Sequence, residues 1–141
     1  MARLAAFRKA HSIFRRPKFF LGRKIRGQNI KDIMWFNPGG TEMDDTEWNT
    51  HFVKVIGLQL SGDATDVRDF RGEPILDDTF LLLLNASPDS ISFKLPGSDG
   101  QTWKTIIDTR EETGFVERGA QTPAGQAFEL IDRSFVLLCR R

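Results

Sequence analysis

The sequence has 141 residues, of which 40% are hydrophobic and 28% charged, values typical of one globular domain and not of a disordered chain. Its longest apolar run, residues 80–84, is far shorter than the ~20 residues of a membrane-spanning helix. The formal net charge is +1, but residues 1–31 hold six Arg, four Lys and no acidic residue, so one end of the chain is strongly basic and the remainder acidic.

The basic end is predicted to begin with a helix over residues 2–16, which Pro17 ends. The side chains that recur there at three- and four-residue intervals are Leu4, Phe7, His11 and Phe14. This pattern is typical of a mitochondrial transit peptide, of a basic helix that binds a membrane or a calmodulin-like groove, or of a terminal helix that packs on protein. We favour the last interpretation, in which the basic face is solvated.

From residue 19 onward the sequence predicts an all-β fold, a β-sandwich of about seven antiparallel strands separated by turn signals such as Asn37-Pro-Gly-Gly40. The predicted strands cover residues 32–36, 52–60, 80–84, 90–95, 102–108, 127–131 and 134–139. The polar segments 61–74 and 110–125 are predicted to be loops.

The segment 77–96 is predicted to form the centre of this fold. Its apolar run suits a strand buried on both faces, and the alternating residues 90–95 suit a strand with one buried face. We predict that the two strands form a β-hairpin. Asp77 and Asp78, adjacent on an extended segment, are expected to point to opposite faces and so not to act as the paired carboxylates of a glycosidase. Their expected role is turn formation beside an aggregation-prone run.

No cofactor, metal ion or catalytic residue is expected on this chain. It lacks nucleophile-elbow, phosphate-loop and dinucleotide motifs, and His11 and His51 have no further ligand at zinc spacing. The three-residue spacing of Asp63, Asp66 and Asp69 does not match a calcium-binding loop.

Tryptophan rings are the candidates for carbohydrate binding, because an aromatic face can stack on a sugar ring. Trp35 and Trp103 fall within predicted strands and are expected in the core. Trp48 lies in an acidic, irregular segment and is the candidate carbohydrate-binding residue.

Six short segments follow one another in a fixed order along the chain, with Trp48 after the second. They are GRKIRG (22–27), DIMWFNPGGTEM (32–43), LQLSGD (58–63), DDTFLLLLNAS (77–87), ISFKLP (91–96) and W-x4-DT (103–109). This series resembles the C-terminal region of bacterial glycogen debranching enzymes of the isoamylase type, in the α-amylase superfamily of glycoside hydrolases. The resemblance extends over essentially the whole chain, and residues 3–20 resemble the last helix of the catalytic (β/α)8 barrel.

The resemblance implies two parts, with the last barrel helix and a linker at residues 1–18 and the C-terminal β-sandwich domain at residues 19–141. The catalytic carboxylates of the family precede this region, so the chain is expected to be a non-catalytic accessory domain, a fragment of an enzyme that hydrolyses α-1,6-glucosidic branch points. Its expected partner is the catalytic barrel, in the same chain or in another.

Two other functions remain open: an autonomous α-glucan-binding module, and a protein that binds nucleic acid or a membrane through its basic arm. We expect neither nucleic acid nor a membrane as a partner. The single cysteine, Cys139, permits no internal disulfide, and the expected location is the reducing cytoplasm.

Overall fold

Residues 1–24, 30–64 and 67–141 are described by the computed structural model of the chain. Part of the GRKIRG segment and Asp66 therefore lie outside the described residues. The chain divides into two compact units. Unit 1 consists of Met1–Met34, Leu60–Thr79 and Arg141, and unit 2 of Trp35–Gln59 and Phe80–Arg140.

Unit 1 begins with helix α1 (Ala2–Ala10), followed by a 3-10 helix at Ser12–Arg15. The predicted continuous helix over residues 2–16 is wrong, because His11 adopts an extended conformation with φ −108° and ψ 112°. No residue of α1 is buried, whereas Ile13 of the 3-10 helix is. The helix therefore does not pack its predicted stripe into a core within the described chain.

Eight strands appear in the described residues, and they belong to unit 2 except for end residues of β1, β2 and β3. They are β1 (Ile33–Phe36), β2 (Val55–Leu60), β3 (Thr79–Asn85), β4 (Ile91–Lys94), β5 (Thr102–Asp108), β6 (Gln121–Pro123), β7 (Ala127–Leu130) and β8 (Ser134–Arg140). A short helix, α2 (Asp45–Trp48), lies between β1 and β2. The all-β class is confirmed, and β6 is the strand missing from the prediction, which placed a loop there.

The strands form a six-stranded sheet in the order β1-β2-β3-β8-β5-β6 and a two-stranded sheet of β4 and β7. The predicted hairpin between the strands at residues 80–84 and 90–95 is therefore wrong. Strand β3 lies between β2 and β8, while β4 pairs antiparallel with β7, with Phe93 opposite Phe128. Alternation predicts which face of a strand is buried but does not specify its partner.

The turn after β3 explains this change of sheet. The Asn85 side-chain amide donates to the carbonyl oxygens of Asp89, at 2.9 Å, and of Ile131, at 2.8 Å. Asn85 thereby fixes the turn to the segment that leaves β7. The chain consequently passes from the six-stranded sheet to the two-stranded sheet instead of folding back beside β3.

The core of unit 2 lies between these sheets. A Cβ atom at Gly57 of β2 would lie 2.7 Å from the Phe93 ring of β4, so the glycine makes room for that ring. Trp103 is fully buried, as predicted, and its indole N–H donates to the Pro96 carbonyl oxygen at 2.7 Å. Among the described residues, no helix is both long and apolar enough to cross a membrane.

Candidate functional site

A partly buried carboxylate, Asp77, holds the segment that follows α1 within unit 1. Its Oδ1 accepts from His11 Nδ1 at 2.8 Å and from the Asp78 N–H at 2.7 Å. Its Oδ2 accepts from the Ile13 N–H at 3.0 Å and from the Ser12 hydroxyl at 3.3 Å. Because a carboxylate can only accept, Nδ1 carries the proton in the His11 contact.

These contacts control the charge of Asp77. Burial raises the pKa of the Asp77 carboxyl, but hydrogen bonds from His11 and from the N–H groups of Ile13 and Asp78 outweigh it and hold the pKa below its ordinary value. The group is therefore a carboxylate at neutral pH. A carboxylate saturated by four donors is suited to anchoring a segment rather than to donating a proton.

His11, Asp77 and Asp78 also form a cluster in which one ligand atom of each lies within 4.8 Å of the others. Asp77 and Asp78 both precede the first residue of β3, so the strand pleat does not set the directions of their side chains. Imidazole and carboxylate are ligands for divalent metals. A cation bound to Asp77 would have to displace its hydrogen-bond donors, so the contacts favour a structural role.

A second carboxylate, Asp32, is fully buried and has a similar role. Its oxygens accept from the N–H groups of Leu21 and Gly22, both at 2.9 Å, and from Arg16 Nη1 at 3.4 Å. Sequence analysis did not identify this anchor. The available signal was that Asp32 is the first acidic residue after the basic stretch 1–31.

A cavity of about 180 Å³ lies beside the Asp77 anchor in unit 1. Its lining includes the basic residues Arg15 and Arg16, the Asp77 carboxylate and apolar side chains such as Ile13 and Val67. Because the lining carries both charge signs and Asp77 already serves the anchor, we assign no chemistry to this cavity.

The larger cavity is a groove of about 510 Å³ in unit 2. Two connections between strands form its walls: Asn37 and Glu47 come from the β1–β2 connection, and Ser87–Asp89 from the β3–β4 turn. Its other surface is the segment Phe52–Val55, with Ile91 of β4. Phe52 is 81% exposed.

Trp48, the residue predicted to bind carbohydrate, is half-exposed and packs its ring edge-to-face against Trp35, with centroids 5.3 Å apart. It does not line the groove. The aromatic ring that does is Phe52, which sequence analysis placed in a strand over residues 52–60. Strand β2 starts only at Val55, so the apparent alternation concealed an exposed ring.

The loop with three aspartates contains a turn. The Asp69 carboxylate accepts from the Arg71 N–H at 2.8 Å and from the Glu73 N–H at 3.0 Å. Asp63 is exposed, and Asp66 lies outside the described residues. Asp69 thus stabilises its own turn.

Comparison with known proteins identifies relatives over most of the chain. A family model described as "Isoamylase, C-terminal" matches residues 32–139. The "Glycogen operon protein GlgX homolog" of Mycobacterium tuberculosis is 37% identical over 134 residues, which are 93% of this chain and 18% of that protein. The "Isoamylase" of Pseudomonas amyloderamosa is 27% identical over 132 residues, 89% of this chain and 15% of that protein. The chain therefore spans less than a fifth of the length of these relatives.

Proposed function

Because the chain belongs to the isoamylase C-terminal family, we propose that it is the non-catalytic accessory domain of a glycogen debranching enzyme and stabilises the part that carries the active site. The parent enzyme hydrolyses α-1,6-glucosidic branch points with carboxylates outside this chain. The names of the relatives, glycogen operon protein and isoamylase, support this assignment. We place the protein in the cytoplasm, in keeping with its single cysteine.

The observation that carries the stabilising role is the uneven exposure of large apolar side chains. Of eleven such exposed side chains in the described residues, seven belong to unit 1, which is the smaller unit. The seven are Met1, Leu4, Phe19, Leu21, Ile30, Phe70 and Leu76. Contiguous apolar patches are typical of surfaces that pack on another protein, and we infer that these side chains form one.

The experiment uses the mycobacterial relative truncated before the region that matches this chain. Added in trans, the 141-residue chain is expected to bind the truncated relative and to raise its melting temperature. Phe70→Ala is expected to weaken binding, because the ring is 92% exposed on unit 1. Phe52→Ala, which removes a ring exposed to a similar extent on unit 2, is the matched control and is expected to have no effect.

The proposed role is wrong if the wild-type chain neither binds nor stabilises the truncated relative. Equal losses for Phe70→Ala and Phe52→Ala would instead show that unit 1 is not the contact surface. The chain alone is expected to release no reducing sugar from branched glucan. Release that persists through purification would contradict its assignment as non-catalytic.

We also propose that residues 1–18 belong with the catalytic part as its last barrel helix and linker, and that residues 19–141 form the sandwich domain. The absence of any buried residue in α1 supports this boundary, whereas the anchoring of Ile13 by Asp77 opposes it. A chain lacking residues 1–18 is expected to unfold cooperatively in urea. Loss of the cooperative transition would place the segment within the domain.

A further inference from the structure

We propose that the groove of unit 2 binds a short segment of linear α-glucan, with Phe52 as the ring on which a sugar stacks. The choice of an α-glucan over another neutral sugar rests on the proposed function. The choice of a neutral, polyhydroxylated ligand rests on the groove itself. Trp48, the residue that sequence analysis predicted for this role, is not part of the groove.

The first wall of the groove is held by hydrogen bonds within the β1–β2 connection. The Asn37 side-chain amide donates to Glu47 Oε1 at 2.6 Å, and Glu47 Oε2 accepts from the Asp44 N–H at 3.0 Å. The Asp44 side chain in turn accepts from the Glu47 N–H at 2.9 Å and so caps helix α2. This reciprocal capping box fixes Glu47 relative to Asn37.

The second wall is equally constrained. The Ser87 hydroxyl donates to Asn85 Oδ1 at 2.8 Å, and the Asn85 amide donates to the Asp89 carbonyl oxygen. The Ala86 N–H donates to the Lys54 carbonyl oxygen at 2.8 Å, which joins this turn to the segment carrying Phe52. A ligand would therefore enter a preformed groove and would not have to order its walls, which lowers the cost of binding.

The lining matches the two surfaces of a sugar. An exposed Phe52 ring, with Val53 and Ile91 nearby, offers an apolar surface to the C–H face of a pyranose. The exposed Lys54 ammonium and Asp89 carboxylate supply a donor and an acceptor for hydroxyl groups. Polar and apolar side chains thus share the lining, as a ligand with both C–H and hydroxyl surfaces requires.

The charges of the lining favour a neutral ligand. Glu47 and Asp89 outnumber Lys54 and would repel a phosphate or another anion. A hydroxyl group both donates and accepts, so a neutral sugar can satisfy carboxylates and an ammonium together. The volume of about 510 Å³ lies within the roughly 300–1,000 Å³ of small-ligand sites.

The test titrates maltoheptaose into the ¹⁵N-labelled 141-residue chain and follows its amide resonances. We expect saturable shifts at residues 52–55 and 87–91 and about tenfold weaker binding for Phe52→Ala, the equivalent of about 1.4 kcal/mol. Phe70→Ala, which removes a ring of similar exposure outside the groove, is expected to bind as the wild type does. Because both side chains are exposed, both variants are expected to retain the wild-type spectrum elsewhere.

Three outcomes overturn the inference: no saturable shift with maltoheptaose, shifts confined to other residues, or equal weakening by Phe52→Ala and Phe70→Ala. The inference is also overturned if the amide resonances of residues 52–55 shift with the truncated mycobacterial relative and not with the sugar. The groove would then be a protein interface. Cellohexaose binding as tightly as maltoheptaose would overturn the α-glucan assignment. If maltoheptaose does not bind but the chain docks on the truncated relative through Phe70, the accessory role stands and only the glucan site is refuted. If maltoheptaose binds but the chain does not dock, only the accessory role is refuted.

Discussion

Unit 1 and unit 2 each have their own kind of stabilising interaction. Of the sixteen buried hydrophobic residues in the described chain, thirteen belong to unit 2 and three to unit 1, namely Ile13, Leu60 and Ala64. Unit 1 instead contains two carboxylates, the buried Asp32 and the partly buried Asp77, that accept hydrogen bonds from the backbone of the basic segment. Unit 2 is thus held by an apolar core, and unit 1 by hydrogen bonds between its segments and side-chain carboxylates.

This difference predicts how each unit responds to a change of pH and to local unfolding. Apolar burial is insensitive to pH and is shared among many side chains, so opening it requires most of the sandwich to unfold. Hydrogen bonds to a carboxylate are individually strong but depend on its ionisation. We therefore expect unit 1 to open locally, under milder conditions than unit 2.

The largest expected effect is on the core of unit 2. Phe93→Ala removes the ring packed against Gly57 and is expected to lower the free energy of unfolding by roughly 3–5 kcal/mol, because a cavity remains between the sheets. Urea denaturation followed by tryptophan fluorescence measures this loss. A change below roughly 1 kcal/mol would show that the core does not depend on this ring.

The next largest effect is expected at the anchor of unit 1. Asp77→Ala leaves the Ile13 and Asp78 N–H groups without their acceptor and is expected to cost roughly 2–3 kcal/mol. Hydrogen exchange should accelerate at these two amides while the amides of β5 and β8 keep their protection. Equal acceleration in both units would remove the distinction between them.

Acidification should produce a smaller loss at the same anchor. Because the folded-state pKa of Asp77 lies below its ordinary value of 3.8, its stabilising contribution is present above that value and disappears as the pH falls through the folded-state pKa. A protonated carboxyl still accepts hydrogen bonds, so less is lost than with Asp77→Ala. The measurement is the hydrogen-exchange rate of the Ile13 amide as a function of pH in the wild type and in Asp77→Asn, which cannot ionise. If the two rates depend on pH in the same way, the ionisation of Asp77 does not stabilise unit 1.

The smallest effect is expected from the exposed apolar surface of unit 1. Phe70→Ala removes a side chain that is 92% exposed and is expected to change the free energy of unfolding of the isolated chain by less than about 0.5 kcal/mol. The same variant is expected to weaken docking to the truncated relative. A large loss of stability in the isolated chain would mean that Phe70 packs within unit 1 and not on a partner.

Most of the strands followed from sequence, because alternation and turn residues act over a few neighbouring positions. The pattern at Thr102–Asp108 predicted β5 with its exact bounds. By contrast, the three-residue strand β6 has too few positions for a period to be recognised. The helix break at His11 was missed, and this residue contacts Asp77, which lies 66 residues away in sequence and outside any local pattern.

The sequence by itself determined the all-β class, the family resemblance, the basic segment 1–31 and the burial of Trp103, because composition, local periodicity and ordered motifs carry that information. Only the tertiary structure decided that β4 pairs with β7, that Asp32 and Asp77 anchor the basic segment, and that Phe52 and not Trp48 lines the groove. Each of these depends on residues distant in sequence. A local pattern shows which side of an element is apolar, but the element that meets that side is set by the packing of the whole chain.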